Sequence, residues 1–220
     1  MKKWLGIMLS ICLITILMGC GSTESKQTPD STESSKEQES ETAAEDTVEN
    51  NEKTTEQTDA PTDHNSAVIF FTGTGNTKVI AQSIAEELSS PIYEIEPVEK
   101  YTDADLNYSD DNCRANKEQN DDSARPEIAN DLSEVTEYET IYLGYPIWWG
   151  TNPKIIQTFL DSYDLSGKTV YTFCTSGSSG IETSVANLQK LYPDVNIVSG
   201  NRFEVNVGKD VIASWIEGLN

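Results

Sequence analysis

Short apolar segments alternate with amphipathic segments along residues 66–220, and this alternation restricts the fold more than any other feature of the chain. The apolar segments are rich in β-branched and aromatic residues and lack the polar alternation of a half-exposed strand, so they predict strands buried on both faces. Because strands alternate with helices, we expect an α/β fold, a doubly wound parallel sheet with helices on both faces. The predicted strands are 67–71, 91–95, 139–145, 168–174 and 195–199, the last of which could extend to 205.

The amphipathic segments predict the helices. Apolar residues recur at helical spacing in 77–89, in a segment that begins at Pro153 and in 181–191. Asn152 is suited to cap the helix that begins at Pro153. The apolar stripe of the last helix is predicted to hold Val211, Ile212, Trp215, Ile216 and Leu219.

The acidic segment 97–126 is turn-rich and predicts a long connection between two strands. We expect a short helix within it, near 112–121. Long ordered connections in compact domains are often functional, and this one could cover a ligand site.

Loops of small residues directly follow three of the predicted strands, at 72–77, 146–152 and 175–180. Parallel strands end at the same edge of a sheet, so we expect these loops to lie together. Ligands bind to such sheets beyond the carboxyl ends of the strands, where the strand order reverses. The second loop carries adjacent tryptophans, Trp148 and Trp149, although large aromatic rings usually lie in a core. A ligand beside the loop would explain both indoles, whereas core packing is plausible for one of them.

The loop Thr-Gly-Thr-Gly-Asn-Thr at 72–77 offers backbone amides, hydroxyls and an amide side chain at the start of a helix. Such a helix N-terminus attracts anions. The loop is not a Walker loop, and Lys78 stands where a dinucleotide-binding motif has its third glycine. Taken alone, the loop fits either a phosphate site or an ordinary structural turn.

The motifs together resemble the flavodoxin family. They are FFTGTGNTKVIAQSIA, LGYPIWWGTNPKIIQTFL and GKTVYTFCTSGSSGI, with DDSARPEI at 121–128 between the first two, and the resemblance covers essentially all of 66–220. The match is to a flavodoxin-like branch with Pro-Ile-Trp-Trp-Gly after the third strand. The resemblance implies a five-stranded sheet in the order 2-1-3-4-5. It also implies one non-covalent FMN at the point where the order switches between strands 1 and 3, an arrangement for which flavodoxin is the standard example.

Carried onto this chain, the resemblance assigns each loop to a part of FMN. The first loop would hold the phosphate, with Gly73 inside the turn, the second would enclose the isoalloxazine ring, and the third would offer backbone groups to the polar edge of the ring. The implied phosphate-binding residues are Thr72, Thr74, Gly75, Asn76 and Thr77. The implied ring-binding residues are Pro146, Ile147, Trp148, Trp149 and Gly150. The implied residues of the third loop are Thr175, Ser176, Gly177, Ser178 and Gly180.

Charge bears on both the cofactor and the partners of the domain. Residues 66–220 hold 24 acidic and 10 basic residues, a net charge of −14. Such a domain is a poor nucleic-acid binder, and we expect none to bind. It favours a redox partner protein with a basic docking surface. Acidity and indole stacking both disfavour the negative charge of reduced FMN, so we expect a lowered potential for the fully reduced state.

The histidine and cysteine content excludes several chemistries. The chain has one histidine, His64, which precedes the domain, so Ser–His, Cys–His and His-ligated metal mechanisms are excluded within it, and we expect no metal site. Cys113 and Cys174 are the cysteines within the domain, and the sequence leaves open whether they pair. Cys174 is expected to be a small buried residue rather than a redox group.

The N-terminus is typical of an exported lipoprotein. Lys2 and Lys3 precede an apolar stretch, and Leu17-Met18-Gly19-Cys20 resembles a bacterial lipobox, in which Cys20 would be lipidated. An ordinary signal peptide or an uncleaved anchor is the alternative. We therefore expect a signal over 1–20, a disordered acidic tether over 21–65 and the folded domain over 66–220.

These features predict an FMN-binding electron-transfer protein that is lipid-anchored on the extracytoplasmic face of the cell membrane. One alternative keeps the flavin but makes the protein a reductase of a quinone or similar small acceptor. Another is a ligand-binding lipoprotein with no redox role, although about 155 residues make only one domain rather than two lobes around a cleft.

Overall fold

The computed structural model describes residues 65–219, which form a five-stranded parallel sheet. The strand order is β2-β1-β3-β4-β5, which confirms the predicted fold. The strands are β1 Ser66–Phe70, β2 Ile92–Glu94, β3 Thr140–Pro146, β4 Thr169–Thr175 and β5 Asn196–Phe203. The predicted signal and tether lie outside the described residues, apart from Asn65. The Asn65 carbonyl accepts hydrogen bonds from the amides of Glu139 and Thr140.

Helices connect the strands and cover the sheet. They are α1 Asn76–Leu88, α2 Arg114–Gln119, α3 Lys154–Ser162, α4 Glu182–Leu191 and α5 Lys209–Glu217, with a 3₁₀ helix at Ser133–Glu137. The short helix predicted near 112–121 is α2. In α5, Ile212 and Ile216 are buried, but Val211, predicted to lie in the same stripe, is exposed. The apolar face of this surface helix is wider than the part of it that packs on the sheet, so Val211 at its margin remains exposed.

The central strands β1 and β3 are buried on both faces of the sheet, which explains their unbroken apolar sequences. In β1, Ala67 and Ile69 belong to the core on one side of the sheet, whereas Val68 and Phe70 belong to the core on the other. The first core also takes in α3 and α4, and the second takes in α1 and α5. Successive strand residues point to opposite faces, so a central strand covered on both sides favours apolar residues at nearly every position.

The start of α3 differs from the prediction. Pro153, not Asn152, is the N-cap residue, and no side chain caps the helix. The Asn152 amide instead donates to the Pro153 carbonyl, and its Oδ1 accepts from Thr151 and, at 3.4 Å, from Ser184. Asn152 is therefore a buried link between the tryptophan loop and α4, because partners from α4 compete for the oxygen that would have capped α3.

A charged cluster holds the middle of the connection between β2 and β3. Arg114 pairs with Glu118 at 2.6 Å, and its guanidinium lies 4.0 Å from the centre of the Tyr101 ring. The Tyr101 hydroxyl donates to the second oxygen of Glu118 at 2.6 Å. Burial and the neighbouring carboxylate raise the pKa of Tyr101, so the phenol stays protonated and remains a donor. The cluster fixes Tyr101 against the ring of Trp148.

Both cysteines of the described region, Cys113 and Cys174, are free and buried. Over residues 65–219 no cluster of histidine, cysteine and carboxylate side chains is arranged to hold a metal ion. Within the same range, no helix has the length and apolarity needed to cross a membrane.

Close packing at Gly144 generates a stability prediction. A Cβ atom added there, in the middle of β3, would overlap the ring of the fully buried Phe173. We expect Gly144→Ala to lower the free energy of unfolding by about 1–3 kcal/mol, the usual cost of overpacking a core. Denaturant unfolding measures the loss. Gly177→Ala is the matched control, because a Cβ at that exposed glycine has no neighbour within 4 Å. Equal stability of the two variants would contradict the packing argument.

Candidate functional site

A cleft of about 600 Å³ opens at the carboxyl ends of β1, β3, β4 and β5. All three predicted loops contribute to it, so the expectation that they share one edge of the sheet is confirmed. Eight of the predicted site residues line it: Thr74, Asn76, Pro146, Ile147, Trp148, Thr175, Ser176 and Gly177. Gly73 lines it as well. A cleft of this size is typical of a site for a cofactor or small ligand.

The first loop ends in an open helix N-terminus. Gly75 precedes α1 with a φ of 88°, a left-handed conformation that favours glycine, and no side chain caps the helix. The first amides of α1 have no intrahelical acceptor and are free of a capping side chain, so they suit an anion. Thr74 and Asn76 are exposed beside them in the cleft. The donor set at this end of the cleft therefore fits a phosphate group.

Other residues of the first loop hold its shape rather than line the cleft. Thr72 accepts a hydrogen bond from the Gly75 amide at 2.9 Å, which closes the turn. Thr77 is buried, and its hydroxyl lies 2.9 Å from that of Thr175 in the third loop. This bond joins two loops that are 98 residues apart in the chain. Thr72 and Gly75 border a neighbouring cleft instead.

Trp148 forms a wall of the cleft from within the core. It is 3% exposed and packs edge-to-face on Phe71 and Tyr101, with ring centres 5.6 Å and 5.1 Å away. A Cβ at Gly73 would lie 3.2 Å from the Trp148 ring, so this glycine allows the first loop to approach the indole. An apolar aromatic wall next to a polar loop suits a ligand with a flat ring and an anionic end.

Trp149 lies outside, on a tight turn. Its φ is 47° and that of Gly150 is 80°, while the amides and carbonyls of Trp148 and Thr151 bond reciprocally at 2.9 Å and 3.0 Å. Two left-handed central residues define a type I′ turn, in which a bulky residue such as tryptophan is uncommon. Trp149 is 44% exposed and packs on Tyr108 at 4.7 Å. One indole is thus core and the other is surface, and neither Trp149 nor Gly150 lines the cleft.

Gln119 ties this turn to the β2–β3 connection. Its amide donates to the carbonyls of Trp148 at 3.0 Å and Asn152 at 3.2 Å. The buried Oε1 of the same side chain has no hydrogen-bond partner in the described structure. Both ends of the tryptophan loop are therefore fixed by one side chain from α2.

The third loop is organised by its own backbone and by β5. The Ser178 amide donates to Ser176, and Gly180 lies against the carboxylate of Glu182, so Ser178 and Gly180 do not reach the cleft. Arg202 donates to the Ser176 carbonyl at 3.0 Å. Burial raises the pKa of the nearby Cys174 thiol to about 12, consistent with a small buried residue.

Part of the cleft is formed by residues that no local sequence pattern had indicated. Tyr108 comes from the β2–β3 connection, and the remaining residues follow β5: Phe203, Glu204, Val205 and Asn206. For residues 203–206 the only indication in the sequence was the possible extension of the fifth strand towards 205. None of the described lining residues is a lysine, arginine or histidine, so binding of an anion depends on amides and hydroxyls.

Comparisons with known proteins agree with this geometry. A flavodoxin family model matches residues 65–219. A candidate flavoprotein from Bacteroides uniformis is 40% identical, with a TM-score of 0.67, and the match covers 70% of this chain and 98% of that one. One from Bacteroides eggerthii is 35% identical with the same TM-score, covering 70% and 96%.

A flavoprotein from Lactobacillus acidophilus, solved in complex with FMN, is 24% identical with a TM-score of 0.53, covers 70% of this chain and 99% of that one, and shares the fold. No curated protein matched the chain. The family match over the whole described region, together with the sheet order and the cleft at its switch point, shows that the chain belongs to the flavodoxin family.

Proposed function

We propose that this chain is an FMN-binding electron-transfer protein tethered to the outer face of the cell membrane. The observation that carries the proposal is the cleft itself, in which an uncapped helix N-terminus and the buried indole of Trp148 lie on one ligand site. FMN, the cofactor of the family, has the matching parts, a phosphate and a flat ring system. When bound, it supplies the one- and two-electron chemistry that the side chains of the cleft lack.

The residues of the chain would bind and orient FMN without reacting. Thr74, Asn76 and the first amides of α1 would hold the phosphate. Ile147 and Trp148 would pack against the ring. The backbone of Ser176 and Gly177 would hydrogen-bond to its polar edge. The acidic domain and the apolar wall would both disfavour added negative charge on the ring, which lowers its reduction potential.

The mouth of the cleft supports the proposal of a redox partner with a basic surface. Three large apolar residues at the mouth are 42–55% exposed. Tyr108 and Val205 line the cleft, and Trp149 packs on Tyr108. Glu204 lines the cleft, and the exposed Asp110 and Asp111 follow Tyr108 in the chain. An apolar centre with an acidic rim favours a partner that brings basic groups, since opposite charges steer the encounter.

The cofactor assignment predicts that the full chain, purified in detergent, binds one FMN per chain. Flavin absorption bands and quenched tryptophan fluorescence are the expected signals, because Trp148 lines the cleft. Anaerobic reduction in two steps supports a one-electron carrier. Steady turnover of NADH or NADPH with a quinone would instead favour a reductase. A colourless chain that refuses FMN would contradict both and favour a ligand-binding lipoprotein.

The phosphate site predicts a selective loss of affinity. In Thr74→Val/Asn76→Leu we expect FMN to bind about tenfold to a hundredfold more weakly, because hydrogen bonds to a charged group are removed. Riboflavin has no phosphate and serves as the matched ligand, so its affinity should change by less than about threefold on the same reasoning. Isothermal titration of both ligands measures the difference. Equal losses for the two ligands would place the phosphate elsewhere.

The tether predicts that anchoring depends on Cys20. In bacterial cells, Cys20→Ser should lose radiolabelled fatty acid and should not be processed to the lipidated form, because the thiol that carries the lipid is gone. Cys12→Ser, within the signal, is the control and should behave like the natural chain. Undiminished labelling of Cys20→Ser would rule out a lipid anchor at this residue.

A further inference from the structure

One cation approaches the third loop of the cleft from β5. Arg202 pairs in register with Cys174, and its Nη1 donates to the Ser176 carbonyl at 3.0 Å. Ser176 lines the cleft, whereas none of the described lining residues carries a positive charge. The guanidinium therefore sits directly behind the backbone that, under the proposed function, meets the polar edge of the ring.

Two carboxylates oppose this cation. Glu204 lines the cleft and lies 3.6 Å from Nη2 of Arg202. Glu182, in the first turn of α4, lies against Gly180 at the end of the same loop. Both signs of charge reach the end of β4, because Arg202 lowers and Glu182 raises the pKa of the Cys174 thiol.

We propose that Arg202, opposed by Glu204 and Glu182, tunes the reduction potential of the bound flavin through the third loop. The inference rests on the proposed function. Arg202 is a positioning and electrostatic residue that acts through Ser176, and its charge partly offsets the lowering that the acidic domain imposes.

The sign of each effect follows from charge. Uptake of two electrons and one proton leaves one additional negative charge on the ring system, which a nearby cation stabilises and a nearby carboxylate destabilises. Loss of the Arg202 charge should therefore weaken binding of reduced FMN relative to oxidised FMN. Loss of either carboxylate should do the opposite, although both are exposed and solvent screens their effects, with the Glu204 side chain 70% exposed.

The test measures the ratio of the dissociation constants of reduced and oxidised FMN in the full chain, with dithionite as reductant. Arg202→Gln should raise this ratio about threefold to tenfold, as expected for one charge near a protein surface. A tenfold change corresponds to a potential about 30 mV lower for a two-electron couple. Glu204→Gln and Glu182→Gln should lower the ratio. All three shifts should shrink at high salt.

Two further variants separate charge from structure. Arg202→Lys keeps the charge but loses the planar guanidinium, whose Nη1 donates to Ser176 while Nη2 faces Glu204, so it should leave the ratio closer to that of the natural chain than Arg202→Gln does. Arg125→Gln is the matched control. Arg125 is 35% exposed against 31% for Arg202 and also pairs with one carboxylate, Asp161. Asp161 borders a cleft with residues 164–166 and 193–195, at the amino ends of β4 and β5 and away from the flavin cleft.

The outcomes distinguish the inference from the proposed function. Opposite shifts for Arg202→Gln and the carboxylate variants, with Arg125→Gln unchanged, support the inference. An unchanged ratio in Arg202→Gln, or shifts of the same sign in all variants, overturns it while FMN binding stands. If the natural chain binds no FMN, the proposed function fails first. The oxidised-state affinity and the melting temperature of the apoprotein report any misfolding separately.

Discussion

Burial of a parallel sheet on both faces is the constraint on which the rest of this structure depends. It favours apolar residues along the central strands and concentrates polar residues in the loops that follow the strands. Since all five strands run the same way, their carboxyl ends meet at one edge. The polar loops are thereby gathered around one cleft, and the hydrogen bond between Thr77 and Thr175 joins two of them directly. The site is a consequence of the sheet rather than an addition to it.

Trp148 is buried and Trp149 is exposed because the backbone turns at this point of the loop. Trp148 packs on Phe71 and Tyr101, and its own ring forms the apolar wall of the cleft. Trp149 is one residue further, in a left-handed turn that directs it outwards onto Tyr108. The turn is held by reciprocal backbone bonds and by Gln119 from the β2–β3 connection. That connection therefore supports the tryptophan loop, and its Arg114–Glu118–Tyr101 cluster holds Tyr101 in position.

Electrostatics distinguishes the parts of the cleft. At the end beside α1, the lining residues offer neutral donors at an uncapped helix N-terminus, so an anion would be bound there without a cation among the described lining residues. At the opposite end, Arg202 donates to the Ser176 carbonyl of the third loop, and Glu204 lies 3.6 Å from Nη2 of Arg202. A cation and a carboxylate thus lie together beside the third loop of a domain whose net charge is −14.

The fold and the three loops were predictable from the sequence, because an unbroken apolar strand and a glycine-rich turn are local patterns with few alternatives. Eight of the residues assigned to the loops do line the cleft. The sequence could not show that Asn152 bonds within the core instead of capping α3, because its partner Ser184 comes from α4. Nor could it place Tyr108 and Glu204 in the cleft or Arg202 behind the third loop, because these positions depend on β5 lying beside β4 and on the long connection folding back over the loops. Local periodicity determined the elements and their order, whereas the tertiary structure decided which distant side chains meet, because such contacts depend on the packing of the whole sheet.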